Sequence, residues 1–244
     1  MDPIKQFKEE LDQRVAAFGN DKALQSIASD WVEESMKKKY VYNFSWLGRP
    51  IIQYPQDMVA IQEIIWEVKP DLIIETGIAH GGSIILSASI LELLGGDRKV
   101  VGIDIDIRKH NRDEIEKHPL SKRIQMIEGS SIDKGTAEQV YKIAEGKSRI
   151  LVILDSNHTH EHVKKELELY HCLVSVGSYL MVFDTIVEDL PKDYFEDRPW
   201  NVGDNPKTAV HEFLKGNKNF EIDKSIQNKL IITAAPDGYL KRVK

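Results

Sequence analysis

Two carboxylates stand where one sheet edge would bring them together. Asp155 closes the apolar run Ile150–Asp155 and opens Asp155-Ser156-Asn157-His158-Thr159-His160-Glu161-His162, while Asp184 closes the run Tyr179–Asp184. If both runs are parallel strands, the two acids lie at the same carboxyl edge of the sheet. Hard oxygen ligands of this kind suit Mg²⁺ or Mn²⁺, with waters and substrate oxygens completing an octahedron. A hydroxyl held by such an ion is acidified and fixed in place, so the cation supplies both activation and alignment. His158, three residues past the strand end, is the candidate general base, since imidazole exchanges a proton near neutral pH. His80 is its rival. The plainer alternative has Asp155, Asp184 and His158 simply capping the helices that follow.

The other histidines invite metal readings that the sequence argues against. His158 and His162 would share a helical face at i, i+4, which resembles a zinc pair, but no H-E-x-x-H motif is present and Cys172 is the sole cysteine. His160 and His162 are expected to form a surface cluster. None of the eight histidines is followed two residues later by Asp or Glu, so the H-x-D/E opening of an iron(II) facial triad is missing.

A second group of strand ends carries ligand-binding chemistry. One apolar run ends in Glu75-Thr76-Gly77-Ile78-Ala79-His80-Gly81-Gly82-Ser83, where glycines allow a sharp turn and close backbone approach to a ligand. Ala79 occupies the second glycine position of a dinucleotide fingerprint, so the spacing is instead acidic-x-Gly-x-x-x-Gly-Gly, that of S-adenosylmethionine loops. The next run ends in Gly102-Ile103-Asp104, whose acid can accept hydrogen bonds from both ribose hydroxyls. The third continues into Glu128-Gly129-Ser130-Ser131, placed to face adenine and ribose. The expected cofactor contacts are therefore Glu75, Gly77, His80, Gly81, Gly82, Ser83, Asp104, Ser130, Ser131 and Asp155.

The elements that must position these groups read as an α/β chain. Short apolar strands at Leu72–Glu75, Val100–Asp104, Ile124–Ile127, Ile150–Asp155 and Tyr179–Asp184 alternate with helical segments, the pattern of a parallel sheet covered on both faces. Phe220–Asp223 and Leu230–Ala234 are separated by too few residues for a crossover and are expected to form an antiparallel hairpin. The predicted fold is a doubly wound, mostly parallel, seven-stranded Rossmann-like methyltransferase sheet with that C-terminal hairpin. Residues 1–54 form an N-terminal extension of two amphipathic helices and an aromatic stretch, and 55–244 the methyltransferase domain. Leu11, Val15 and Phe18, then Leu24, Ile27 and Trp31, give the two helices an apolar face, expected on the sheet or between subunits of a homo-oligomer. Pro55 opens a further helix through Val68.

Composition narrows the partners. With 33 basic and 39 acidic residues the formal charge is −6, which argues against a nonspecific nucleic-acid grip. Cys172 lies in an apolar run and is expected to be a buried, inert thiol. The first residues lack a signal-like apolar stretch and no run of 18 apolar residues occurs, so a soluble cytoplasmic protein without a membrane partner is expected.

Longer stretches carry a specific resemblance. Tyr42-Asn43-Phe44-Ser45-Trp46-Leu47-Gly48, Glu75 to Ser83, Asp155-Ser156-Asn157-His158, Arg198-Pro199-Trp200, Asn205-Pro206-Lys207-Thr208-Ala209-Val210 and Asn228 to Tyr239 resemble the cephalosporin hydroxylase/rhamnosyl O-methyltransferase family across about residues 40–243. The resemblance implies the methyltransferase fold, S-adenosylmethionine and a magnesium site, with Asp155 and Asp184 matching the family's metal-binding carboxylates. Two positions depart from it: Phe183 stands where some relatives carry a Glu, and His80 where another, often basic, side chain occurs. Residues 188–206, with Tyr194, Phe195 and Trp200, read as a substrate lid whose aromatic faces can stack on a sugar or flat ring. The sequence thus points to metal-dependent methyl transfer to a hydroxyl of a saccharide or other hydroxylated small molecule. The rival reading is a non-catalytic S-adenosylmethionine-binding protein or partner subunit that keeps the fold; a third moves the methyl to nitrogen or carbon.

Overall fold

In the computed structural model, which describes residues 2–192 and 194–244, the first two helices start at aspartate caps. Asp2 and Asp21 accept backbone N–H groups of Ile4 and Leu24, so α1 (Pro3–Asn20) and α2 (Lys22–Lys37) divide at Asn20-Asp21 as the sequence indicates. A 3₁₀ turn leads into a small antiparallel hairpin, β1 (Phe44–Trp46) and β2 (Arg49–Ile51), and Pro55 opens α3 (Pro55–Val68).

Strand and helix then alternate. The succession is β3 (Leu72–Thr76), α4 (Gly82–Leu94), β4 (Lys99–Asp104), α5 (Lys109–Lys117) and β5 (Ile124–Glu128). It continues through α6 (Lys134–Ala144), β6 (Ile150–Leu154), α7 (His160–Tyr170) and β7 (Tyr179–Val182). The chain closes with α8 (Pro206–Gly216), β8 (Phe220–Ile222), α9 (Lys224–Leu230) and β9 (Tyr239–Arg242).

The main sheet has the order β5-β4-β3-β6-β7-β9-β8, with β9 antiparallel to both β7 and β8. Strand order reverses at β3, so the ligand crevice of this topology opens outside the carboxyl ends of β3 and β6. The central strands β3, β6 and β7 are buried on both faces because alternate residues serve two cores. Ile73, Val100 and Ile153 pack towards α3 and α4; Leu72, Val101 and Val152 pack towards α6, α7 and α8.

Three sequence expectations need correction. The C-terminal hairpin has a different second strand: Leu230 ends α9, Ile231 turns the chain at φ 64°, and the strand is Tyr239–Arg242. The antiparallel pairing holds, but its connection contains a helix, because Thr233 and Ala234 are bound to a buried carboxylate instead of a neighbouring strand. Cys172 is exposed, turned outward by a 3₁₀ turn after α7, with Sγ 2.7 Å from the Tyr141 hydroxyl. Of the two places expected for the apolar face of the N-terminal helices, the sheet is not the one taken within the chain, where both helices lie against other helical elements. Here α1 lies against α9, α2 lies against the Tyr40 turn, and Ile27 stays 67% exposed.

The carboxylate that binds Thr233 and Ala234 is Asp57, in the first turn of α3 and fully buried. It accepts hydrogen bonds from Thr233 Oγ1 (2.5 Å), the Ala234 amide (2.8 Å) and the Tyr239 hydroxyl (2.8 Å). The Thr233–Tyr239 stretch of the resemblance is therefore a wrapper for this acid. Burial, opposed by those three bonds, pushes the Asp57 carboxyl from an ordinary 3.8 up to about 6. The folded chain thus holds this proton more tightly than the unfolded chain. The resulting stability is present in full below about pH 4 and is lost as pH rises through about 6. Asp57→Asn is expected to remove a pH-dependent loss on the order of 3 kcal/mol between those limits. Denaturant melts of both chains across the range check this; a wild-type–variant difference that stays constant would contradict it.

Candidate active site

The site is built from the ends of adjacent parallel strands. The Asp155 amide donates to Thr76 O (3.0 Å) and the Gly77 amide to Ile103 O (2.8 Å), which zips the ends of β6, β3 and β4 together. Gly77 has φ +92°, and a Cβ there would lie 1.9 Å from the Asp155 carbonyl oxygen, so only glycine permits this approach. At Gly82, the first residue of α4, a Cβ would meet Pro50 O at 2.3 Å. The cofactor loop is thereby pressed between the end of β6 and β2.

Asp104 at the end of β4 braces this loop. Its Oδ2 accepts the amides of Ile78 (2.8 Å) and Ala79 (3.1 Å), and Oδ1 accepts that of Asp106 (3.1 Å). A carboxylate offers about four acceptor positions, so the acid can hold the turn and still accept from a ribose hydroxyl. Arg49 of β2 donates twice to the His80 carbonyl and once to Asn111 Oδ1, while Asn111 Nδ2 donates to the Ala79 carbonyl. His80 thus contributes its backbone to the scaffold, and its part-exposed residue lines the crevice. Ser130 is part-exposed and Ser131 is buried at the end of β5.

The crevice between the loop and residues 50–53 holds unanswered polar atoms. Glu75 is 1% exposed, and neither of its carboxylate oxygens has a hydrogen-bond partner; the same holds for Ser83 Oγ and both amide atoms of Gln53. Burial, opposed by the neighbouring Ser83 hydroxyl, pushes Glu75 up to about 7. Buried orphans of this kind are rare, and a ligand carrying ammonium and carboxylate groups answers them. The loop and its orphans fit the methionyl end of S-adenosylmethionine, and Glu75, Gly77, Gln53, Gly81, Gly82, Ser83 and Asp155 are the residues that would hold it. Gln53 and Arg49 carry no motif signal and were not legible from the sequence.

Beside this crevice Asp155, His158 and Asp184 offer one ligand atom each within 4.8 Å of one another. Asp184 follows β7 in a left-handed conformation, φ 53°, that Asp tolerates better than most residues. The Thr185 hydroxyl fixes the turn by donating to Pro236 O (2.7 Å). His158 Nε2 lies 3.0 Å from Asp184 Oδ2. Asp155 is part-exposed; burial first, then the charges of Asp184 and Glu75, push its carboxyl well above the usual carboxylate range. A carboxylate pair held this close fits a divalent cation, with Asp155 and Asp184 as its oxygen ligands. Phe183 is buried against Tyr239, so a third ligand does not come from its position.

The remaining histidines are not a surface cluster. Both His160 and His162 are part-buried: His160 Nδ1 meets Thr208 Oγ1 at 2.8 Å, and His162 Nε2 meets Ser131 Oγ at 3.1 Å. Because α7 starts only at His160, His158 and His162 do not share its face, and each faces its own partners. Of the stretch expected to form a lid, Trp200 touches the site: its ring lies edge-on to His158 at 4.6 Å, with Arg198 over the indole at 5.3 Å. Tyr194 points away, its hydroxyl bonded to Glu33 O at 2.8 Å. Asn205 and Glu188 clamp the base of this region, and Asn205 caps α8. The Asn205-Pro206 pair is a helix start.

Sheet order, strand-end loops and acids define a class I S-adenosylmethionine-dependent methyltransferase. The chain matches the family Rhamnosyl O-methyltransferase/CmcI over residues 38–243 and belongs to it, which makes it an O-methyltransferase. It is 32% identical over 224 residues to a rhamnosyl O-methyltransferase of Mycobacterium bovis, covering 88% of this chain and 86% of that one. A rhamnosyl O-methyltransferase of Mycobacterium leprae is 30% identical, with 88% and 92% covered. The fold is shared with CmcI solved with Mg and SAM, at TM-score 0.58 and 20% identity over 83% of this chain and 78% of that one. An O-methyltransferase from Bacillus cereus in complex with SAH gives 0.53 and 16%, over 84% and 90%. Among the described residues, no helix is long and apolar enough to cross a membrane.

Gly77→Ala tests the close approach on which the loop depends. Combined backbone strain and overlap with the Asp155 carbonyl are expected to cost about 2–4 kcal/mol. Denaturant unfolding checks this, and a loss under about 0.5 kcal/mol would show that the loop has room to move.

Proposed function

We propose that the chain transfers the methyl group of S-adenosylmethionine to a saccharide hydroxyl, with a divalent cation held by Asp155 and Asp184. The observation that carries this reading is the meeting of Asp155, His158 and Asp184 beside the orphaned polar crevice at one sheet edge. The rhamnosyl substrates in the names of the mycobacterial relatives support a deoxysugar or similar saccharide as acceptor. When bound, the cofactor brings a methyl group on a sulfonium, and the cation acidifies and aligns the acceptor hydroxyl.

This chain's own residues do the rest. Asp184 accepts from His158 Nε2–H, which leaves Nδ1 as the nitrogen that takes the acceptor proton. The same carboxylate then stabilises the imidazolium that forms. Trp200 packs against the imidazole, restricts the ring, and presents an aromatic surface to a sugar entering over it. Gly77 and Gly82 let the loop backbone lie against Asp155 and Pro50, and Asp104 fixes the turn.

One observation favours a second role for His158: its nitrogen belongs to the same ligand-atom cluster as the two carboxylates, so it could serve as a third ligand. His158→Ala separates the roles. As the base, its loss is expected to lower kcat about 10²–10⁴-fold while cofactor and cation affinities hold. As a ligand, its loss is expected to weaken cation binding by a factor similar to that of Asp155→Ala. Methyl transfer to rhamnosyl and related saccharide acceptors, followed with and without EDTA, tests the whole reading. Activity is expected to vanish on chelation and return with Mg²⁺ or Mn²⁺; full turnover in excess EDTA would contradict the cation's role.

A further inference from the structure

The turn that carries Asp184 is held from outside. Asp184 takes a left-handed conformation just after β7, and the residues on either side of it are tied to a segment near the end of the chain. The Val182 amide donates to Gly238 O (2.8 Å), the Thr185 hydroxyl to Pro236 O (2.7 Å) and the Ile186 amide to Ala234 O (3.2 Å). The Asp184 carboxylate therefore stands where this segment puts it.

The segment is itself held from outside. Residues 231–238 lie between α9 and β9, in neither helix nor strand. They begin at Ile231, whose φ of 64° is costly for a β-branched side chain, and turn again at Asp237 with φ 66°. Local preference does not choose such a path. Asp57 of α3, fully buried, gathers it.

One oxygen of Asp57 accepts the Thr233 and Tyr239 hydroxyls, the other accepts the Ala234 amide, and Thr233 Oγ1 accepts the Ala235 amide at 2.9 Å. Ala234 is common to both sets of bonds: its amide faces Asp57 and its carbonyl faces the Ile186 amide. Pro236 and Gly238, the other two acceptors of the Asp184 turn, lie between Ala234 and Tyr239, so the grip of Asp57 brackets them. The Tyr239 ring also packs edge-on against Phe183, the neighbour of Asp184, at 6.3 Å. The two acids are close enough that the charge of Asp184 adds, after burial, to the rise of the Asp57 carboxyl.

We infer that Asp57 is a positioning residue for the divalent cation: by holding residues 233–239 it sets the place of Asp184, and with it the affinity of the ion. The inference rests on the cation reading above. An acid that only fastened α3 to the end of the chain would cost stability when lost, yet leave the ion's affinity in the folded protein unchanged.

Mn²⁺ titration followed by electron paramagnetic resonance, with S-adenosylhomocysteine present and on chains shown to be folded by circular dichroism, separates the two. Asp57→Ala is expected to weaken Mn²⁺ about tenfold while calorimetry finds S-adenosylhomocysteine bound within about twofold of wild type. Asp57→Asn keeps a polar atom at each of the three contacts, and is expected to restore Mn²⁺ binding to within about threefold of wild type. Thr233→Val and Thr185→Val keep the side-chain shape and each cut one link of the same path. Each is expected to weaken Mn²⁺ about tenfold, and the two together no further, since one broken path cannot be broken twice. Wild-type Mn²⁺ affinity in Asp57→Ala, or in Thr233→Val should Asp57→Ala not fold, would overturn the inference, as would losses that multiply in the Thr233→Val/Thr185→Val pair. A wild-type chain that leaves Mn²⁺ free would overturn the cation reading itself, and this inference with it.

Discussion

Three carboxylates converge on one sheet edge because β3, β6 and β7 lie side by side and each carries an acid within two residues of its carboxyl end: Glu75, Asp155 and Asp184. Neighbouring strands lie about 4.8 Å apart, and at that separation two unit charges repel by about 3 kcal/mol at an effective dielectric near 20. Water is the usual remedy, but Glu75 is buried and Asp155 is only part-exposed. Protonation is one answer, and the raised Asp155 and Glu75 are its signature. Positive ligands are the other. A divalent ion between Asp155 and Asp184 and a cationic cofactor over Glu75 would neutralise the same edge without a proton.

The surrounding elements maintain that concentration of charge. Gly77 lets the loop cross against β6, Asp104 and Arg49 hold the loop from either side, and the segment after β2 closes the crevice with Gln53. From the opposite side Trp200 packs on His158, and the clamp of Asn205 on Glu188 ties down the base of that region. Asp57 works at a distance: by gathering Thr233, Ala234 and Tyr239 it sets the path of the chain into β9, the strand that pairs with β7. The turn carrying Asp184 rests on the same stretch through Thr185 and Pro236.

Much of this was legible in the sequence because parallel strands buried on both faces leave unbroken apolar runs, and acids at their ends stand out. Asp155, Asp184, Asp104 and the Gly77–Ser83 loop were found in that way. The apolar run Leu230–Ala234 misled for the same reason: its residues are apolar, but Thr233 and Ala234 are committed to Asp57, a contact 177 residues away in the case of Ala234. Cys172 misled because an apolar neighbourhood in sequence need not survive a 3₁₀ turn. Gln53 and Arg49 lay beyond reading, since nothing local separates an amide or a guanidinium bound for a site from one bound for solvent.

Cation binding by the unliganded-acceptor form tests the central claim most directly, because it asks whether the converging acids are an ion site at all. Mn²⁺ titration followed by electron paramagnetic resonance, in the presence of S-adenosylhomocysteine, is expected to show one tightly held ion per chain. Asp184→Asn is expected to weaken it at least tenfold, as the loss of a charged ligand should. A wild-type chain that leaves all Mn²⁺ free, or a variant that binds it as well as wild type does, would contradict the account.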